Sequence, residues 1–328
     1  MRQTSGSWYG GRRPYGEIQT RESRRMHTLE FENVTKSYGD AVVVDDMTFT
    51  VQPGRVTGFL GPNGAGKSTT MKILLDLASA DHGRTSIGGT RYRDLDDPAR
   101  TVGAILEANA FHPARSGRNH LRVLADSGGY PHDRIDELLG LVGLADAADR
   151  KAGAYSLGMR QRLGLAAAVL PDPPVLVLDE PSNGLDPQGI RWMRDLLRQR
   201  AEMGNTVFVS SHLLSEVEHL ADEVVVINRG KLVASGAISD LQQAGTTVRT
   251  PTPEPLSKIL EDAGATVEIH EGALRVQGLA IAEIGERAHE GGIVLHELTP
   301  LAGSLEELFL GWTALETSDE PIVEGVAS

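Results

Sequence analysis

The sequence predicts an α/β protein. A parallel-sheet core carries an antiparallel β subdomain and a helical subdomain, and a small α+β domain of ferredoxin-like order follows. Three observations point there. Val56-Thr57-Gly58-Phe59-Leu60 is a β-rich apolar run that leads into the glycine-rich stretch Gly61-Pro62-Asn63-Gly64-Ala65-Gly66-Lys67-Ser68-Thr69, and Met71-Lys72-Ile73-Leu74-Leu75-Asp76-Leu77 then shows helical spacing. Val175-Leu176-Val177-Leu178 is an unbroken apolar run ending in Asp179-Glu180, the pattern of a strand buried on both faces of a parallel sheet. Beyond residue 240 short apolar runs alternate in the order β-α-β-β-α-β.

The elements follow in chain order. Residues 1–26 hold Gly10-Gly11, Pro14 and several arginines with little periodicity, and read as a disordered extension. They lack the apolar core of a secretory signal. Met26 is a candidate start, because a strand reading over Thr28–Glu32 begins just after it. The first domain spans 27–240. Its opening alternates short strands and turns, as an antiparallel sheet would. From about Asp96 to Val169 it is mostly helical, with helical spacing over Gly117–Ser127, Asp133–Val142 and Leu157–Leu170. The second domain spans 241–313. It opens on a strand at Thr247-Val248-Arg249, followed by Thr250-Pro251-Thr252-Pro253-Glu254-Pro255, whose alternate prolines predict a stiff, extended connection. A helix over Pro255–Ala263, strands over Thr266–His270 and Ala273–Gln277, a helix over Ile281–His289 and a strand over Ile293–Glu297 complete the order. Ser304 with Glu307 makes a capping box that opens a last helix through Leu310, and 314–328 reads as a flexible tail. This second domain shows no phosphate loop, metal cluster or nucleophile.

The chemistry lies in the first domain. Gly61 to Thr69 fits the phosphate-binding pattern G-x-x-x-x-G-K-[ST] in its required strand–loop–helix context. Glycines let the backbone turn its N–H groups inward, and the helix N-terminus adds positive partial charge where phosphates lie. In that pattern Lys67 reaches the β- and γ-phosphates and Ser68 ligates Mg²⁺. Asp179 would hold the Mg²⁺, directly or through water, and Glu180 would act as general base on the attacking water.

Further segments narrow the class. Tyr155-Ser156-Leu157-Gly158-Met159-Arg160-Gln161-Arg162-Leu163 resembles the signature motif of ATP-binding cassette (ABC) ATPases. Ser182-Asn183-Gly184-Leu185-Asp186-Pro187 resembles their D-loop, and Val207-Phe208-Val209-Ser210-Ser211-His212 resembles the strand that ends in their switch histidine. Tyr38 stands where the family stacks an aromatic ring on adenine. The resemblance runs from about Leu29 to Gly236 and implies a P-loop NTPase (RecA-like) core that binds ATP with Mg²⁺. It implies two cassettes that share two ATP, as a homodimer or as a heterodimer with a second cassette. Nucleotide contacts then fall to Tyr38, to Gly61, Pro62, Asn63, Gly64, Ala65, Gly66, Lys67, Ser68 and Thr69, and to Asp186. Ser156 and Gly158 would touch the γ-phosphate of ATP held by the partner chain. Catalysis would rest on Lys67, on Glu180 and on His212, which would hydrogen-bond the γ-phosphate and help orient the water, and metal binding on Ser68, Glu107 and Asp179.

Two departures mark this chain. The signature has Leu157 where the first glycine is usual and Met159 where glutamine is usual. Glu107 occupies the place of the Q-loop glutamine; a carboxylate is a good ligand for a hard cation. This glutamate form with a Tyr-Ser-Leu-Gly-Met signature is similar to the branch of bacitracin-resistance and lantibiotic-immunity exporters. Phe111, His112, Pro113 and Arg115 would meet the membrane partner. The expected role is ATP hydrolysis energising drug or antibiotic-peptide export, at the cytoplasmic face of the membrane. The alternative is a non-transport ABC ATPase of DNA repair, chromosome organisation or translation, disfavoured because coiled-coil insertions and zinc cysteines are missing.

Composition sets limits. A net charge of −13 argues against a general nucleic-acid binder. With no cysteine, disulfides and Cys-ligated zinc are excluded. No run approaches the ~18 apolar residues of a membrane helix, so any channel belongs to separate membrane-spanning subunits. The C-terminal domain reads either as a regulatory or dimer-supporting module or as plain packing.

Overall fold

A computed structural model describes residues 27–106, 111–239, 245–270 and 272–300. The expectations for residues 1–26, Glu107, the boundary at 240/241, the helix over 304–310 and the tail 314–328 lie outside the described residues.

Three sheets organise the chain. Strands β1 (Leu29–Tyr38), β2 (Ala41–Val51) and β4 (His82–Ile87) form an antiparallel sheet in the order β2-β1-β4. Strands β3 (Arg55–Leu60), β5 (Val102–Ile105), β6 (Val175–Leu178), β7 (Thr206–Ser211), β8 (Glu223–Asn228) and β9 (Lys231–Ala237) form a six-stranded sheet in the order β5-β6-β7-β3-β8-β9. It is parallel except for β9, which runs antiparallel to β8.

The large sheet is covered on both faces, which explains its continuous apolar strands. Alternate residues feed opposite cores. Val56, Leu176, Leu178, Val207 and Val209 face the helical side, while Phe59, Val175, Val177, Phe208 and Val225 face the antiparallel sheet. Phe31 stacks on Phe49 with ring centroids 4.1 Å apart, and Phe59 and Phe208, 5.1 Å from each other, pack beside them, Phe59 at 5.6 Å from Phe49 and Phe208 at 6.0 Å from Phe31, joining the two sheets. Phe208 is fully buried, so truncating it to alanine would cost roughly 3–5 kcal/mol.

The helices are α1 (Lys67–Leu74), α2 (Pro98–Thr101), α3 (Gly117–Gly128), α4 (Asp133–Leu141), α5 (Leu157–Val169), α6 (Pro187–Glu202) and α7 (Leu214–Leu220). The spacings over Gly117–Ser127, Asp133–Val142 and Leu157–Leu170 hold to within a residue, but that over Met71–Leu77 does not: α1 stops at Leu74, and Asp76 turns to φ 53°. Serine caps set two of the starts: Ser116 Oγ accepts from Asn119 N, and Ser156 Oγ from Met159 N. Phe111 turns inward against the helical core, edge-on to His120, whereas His112, Pro113 and Arg115 are exposed. Phe111 is thus an anchor, and only its three neighbours lie on the surface.

The C-terminal elements are β10 (Thr246–Arg249), α8 (Pro253–Asp262), β11 (Thr266–His270), β12 (Ala273–Gln277), α9 (Ile281–Glu290) and β13 (Glu297–Pro300). The sheet order β11-β12-β10-β13, antiparallel throughout, is that of a split βαβ fold. Its own core holds Val248, Leu256, Leu260, Leu274, Val276 and Ile284. Two readings need correction. The proline segment is not extended throughout: α8 begins at Pro253, because proline is tolerated in a helix's first turn, where its missing N–H has no partner to lose. The last strand begins at Glu297 rather than Ile293. Its partner β10 ends at Arg249, opposite Glu297, so residues before 297 have no ladder to join. Ile293 and Leu295 pack on the core from irregular backbone instead.

Candidate functional site

Strand order builds the site. β6, β7 and β3 are neighbours, with Leu178 opposite Val209 and Leu60 opposite Ser211. Everything that leaves their C-terminal ends therefore meets at one edge: the glycine loop after β3, Asp179-Glu180 after β6, and His212 after β7. Carboxyl ends of parallel strands are where such sheets place ligands.

The loop Gly61–Gly66 leads straight into α1. Gly66 is the N-cap, with φ 104° and ψ 1°. A Cβ there would lie 2.5 Å from the carbonyl oxygen of Val43, so only glycine fits. Gly66 offers no side-chain cap, and the first intrahelical bond is Thr70 N to Gly66 O. The N–H groups of Lys67, Ser68 and Thr69 consequently find no protein acceptor among the described residues. Three unpaired donors at a helix N-terminus suit an anion.

Lys67 lies over this loop, only 6 % exposed. Its Nζ donates to Gly61 O at 2.7 Å and lies 3.6 Å from Glu180 Oε1. The other carboxylate oxygen of Glu180, Oε2, lies 2.7 Å from His212 Nδ1. Glu180 therefore bridges Lys67 and His212. Asp179 is buried and accepts the Ser210 hydroxyl on Oδ1; Oδ2 takes no protein donor among the described residues. Ser68 is exposed in the first turn of α1. A hydroxyl and a carboxylate are hard oxygen donors, the set that suits Mg²⁺ completed by water and phosphate oxygens. No group of three or more His, Cys, Asp or Glu side chains makes a metal cage among the described residues.

The remaining candidates lie elsewhere. Tyr38 ends β1, 54 % exposed, with Lys36 Nζ 5.3 Å from its ring centroid. Lys36 is itself held by Asp81 at 2.8 Å. Ser156 caps α5, and Gly158 packs against Gly184, whose carbonyl oxygen would lie 2.5 Å from a Cβ on Gly158. Asp186 caps α6 through Gly189 N at 2.7 Å and accepts from Arg162 at 3.2 Å. The structure thus gathers Lys67, Asp179, Glu180 and His212 into one cluster, and sets Ser156, Gly158 and Asp186 together along the start of α5 and the loop after Glu180.

Two contributors escaped the sequence reading. Ser210 is fully buried and serves both acids: besides Asp179, its Oγ accepts from Glu180 N at 2.9 Å. The signal was a polar residue ending the apolar run Val207-Phe208-Val209. Gln161, 5 % exposed on α5, donates from Nε2 to Glu180 O at 3.1 Å. It lies inside the signature-like segment Tyr155–Leu163, but nothing in that pattern marks a contact with Glu180.

Comparison with known proteins adds a second line. Residues 44–183 match the ABC transporter family, and residues 244–306 match a domain of unknown function. The chain is 37 % identical over 298 residues to the uncharacterized ABC transporter ATP-binding protein YhcH of Bacillus subtilis (strain 168), covering 89 % of this chain and 97 % of that one. The chain belongs to the ABC transporter ATP-binding family. Another member, the bacitracin transport ATP-binding protein BcrA of Enterococcus faecalis, is 36 % identical and covered over 95 % of its length, with 86 % of this chain. Among solved structures, an ATP-binding subunit of an ABC transporter is similar at TM-score 0.59 and 26 % identity, covering 80 % of this chain and 99 % of that one. ABC cassettes bind ATP and hydrolyse it to power transport, and the P-loop core seen here is theirs. No helix among the described residues is long and apolar enough to cross a membrane.

Proposed function

We propose that this ABC ATPase energises export through separate membrane-spanning subunits, working as a cassette dimer at the inner face of the membrane, with a drug or antibiotic peptide as cargo. The observation that carries the hydrolytic reading is the bridge Lys67–Glu180–His212 beside an unpaired helix N-terminus. The cargo class is supported by relatives named for bacitracin and lantibiotic transport, at 36 % and 40 % identity.

Each residue has a task in this reading. The loop N–H groups and Lys67 hold the β- and γ-phosphates. Ser68 and Asp179 hold Mg²⁺, with Glu107 as a further oxygen ligand. The metal, when bound, offsets charge on the phosphate oxygens. Glu180 accepts the proton of the attacking water, and His212 fixes the carboxylate's orientation through its Nδ1. Tyr38 offers an open ring face to adenine. Ser156, Gly158 and Asp186 serve the ATP of the partner cassette. Phosphoryl transfer needs positioning and charge neutralisation more than covalent chemistry, and these groups supply both. The division into 27–240 for nucleotide binding and 241–313 for a supporting domain belongs to the same proposal.

The test is affinity capture of tagged Glu180→Gln protein from detergent-solubilised native membranes with ATP and Mg²⁺, read by mass spectrometry. A stoichiometric multi-span protein is expected. A soluble partner, or nothing above background, overturns the exporter reading.

A further inference from the structure

Glu180 stands in an unusual backbone state. Its φ is +48°, in the left-handed region that non-glycine residues enter only when surroundings hold them there. Two side chains from separate elements do so. On the amino side, Ser210 Oγ, at the end of β7, accepts from Glu180 N at 2.9 Å. That hydroxyl's single proton goes to Asp179, so its acceptor lone pair faces the Glu180 N–H. On the carboxyl side, Gln161 Nε2 donates to Glu180 O at 3.1 Å. The same carbonyl also takes Asn183 N at 3.2 Å, a local turn using one lone pair while Gln161 uses the other. The far end of Gln161, Oε1, is buried without a partner, so this bond is the one its carboxamide makes.

Gln161 belongs to α5, the helix that Ser156 opens. The start of that helix grips the whole segment after β6: Gln161 holds Glu180, Gly158 abuts Gly184, and Arg162 reaches Asp186. We propose that Gln161 and Ser210 are positioning residues that clamp the backbone of Glu180, and that Gln161 ties the aim of that carboxylate to helix α5. The inference rests on the reading of Glu180 as general base. In a dimer that exposes the start of α5 to the partner's ATP, a shift of α5 at one ATP reaches, through Gln161, the Glu180 that serves the other. One side chain would thus connect the two sites within each chain.

Phosphate release by the full chain at saturating ATP and Mg²⁺ tests this, with ATP binding measured separately. Gln161→Met keeps volume and removes the donor. It should lower kcat about tenfold, the scale of a misaimed catalytic group, with KM for ATP unchanged within about twofold. On a Glu180→Gln background the same substitution should change the residual rate by less than about twofold, because there is no base left to misaim. Ser210→Ala should lower kcat at least as much as Gln161→Met, because it also releases Asp179 Oδ1, and Ser210→Thr, which restores the hydroxyl, should recover most of the loss. Unchanged kcat in Gln161→Met and Ser210→Ala, or an equal loss on the Glu180→Gln background, overturns the clamp while leaving Glu180 as the base. Wild-type turnover by Glu180→Gln alone overturns both.

Discussion

Replacing Gly66 by alanine tests the link from backbone to phosphate site. Three terms set the magnitude. The backbone at φ 104° is open to glycine and strained for any L side chain, at about 1–3 kcal/mol. The new Cβ would meet Val43 O at 2.5 Å, far inside ordinary contact, and relieving it means displacing β2 or the start of α1, a cost typical of overpacking at about 1–3 kcal/mol. Against these, alanine restricts the unfolded chain and returns about 0.4–1 kcal/mol. The sum is a loss of about 3 kcal/mol. Gly64 is the control. Its φ is +83°, but a Cβ there would meet nothing within 4 Å. Gly64→Ala should show only the strain and entropy terms, a loss of about 1 kcal/mol. Urea unfolding followed by circular dichroism, without nucleotide, reads both. Gly66→Ala should be less stable than Gly64→Ala by about 2 kcal/mol. Equal stabilities would refute the argument that the approach of Val43 makes glycine obligatory at position 66.

Other outcomes are expected on the same grounds. Lys67→Ala should abolish hydrolysis and weaken ATP binding in an equilibrium titration; normal turnover would remove Lys67 from the phosphate site. Glu180→Gln should bind ATP yet stall as a dimer, seen by light scattering on a sizing column, and a monomer with full turnover would contradict its assignment. Glu107→Gln should keep ATPase activity but shift its Mg²⁺ dependence, whereas an identical metal titration would mean the carboxylate does not touch the ion. Burial, with Arg115 nearby, holds the His120 imidazole below its usual value of 6.5. The folded state therefore resists a proton that the unfolded state accepts, and stability should fall as pH drops below about 6.5. His120→Gln should flatten that part of the profile, and an unaltered slope would exclude His120 as its source.

Much of the site was legible because its residues are consecutive. Gly61–Thr69, Asp179-Glu180 and the run into His212 each carry a pattern within a few residues, and alternating strand and helix signals place all three at one sheet edge. What stayed hidden depends on neighbours distant in sequence. Gln161 sits in the signature-like segment without a role of its own there, and its role exists only because α5 brings it to the Glu180 carbonyl. Ser210 gained meaning once β6 and β7 were known to be adjacent. The end of β10 decided where β13 begins, which no reading of Ile293–Glu297 by itself could supply. The two prolines in the first turn of α8 signalled extension and helix start equally well, and packing of Leu256 and Leu260 into the core settled the matter.

The sheet order has a consequence for how the protein is made. Strand β3, which launches the glycine loop, has as its two neighbours β7 and β8, both encoded far downstream. A ribosome adding ~5–20 residues per second needs on the order of ten seconds more to bring out β7 after β3. During that interval the nascent chain shows two bare edges of an apolar strand and a phosphate loop with no acids opposite it. Nucleotide therefore meets no complete site during early folding, and β3 gains its first sheet neighbour only when Ser211 has emerged and its second only with β8. Truncations ending before β7 should accordingly aggregate rather than yield a small ATP-binding fragment.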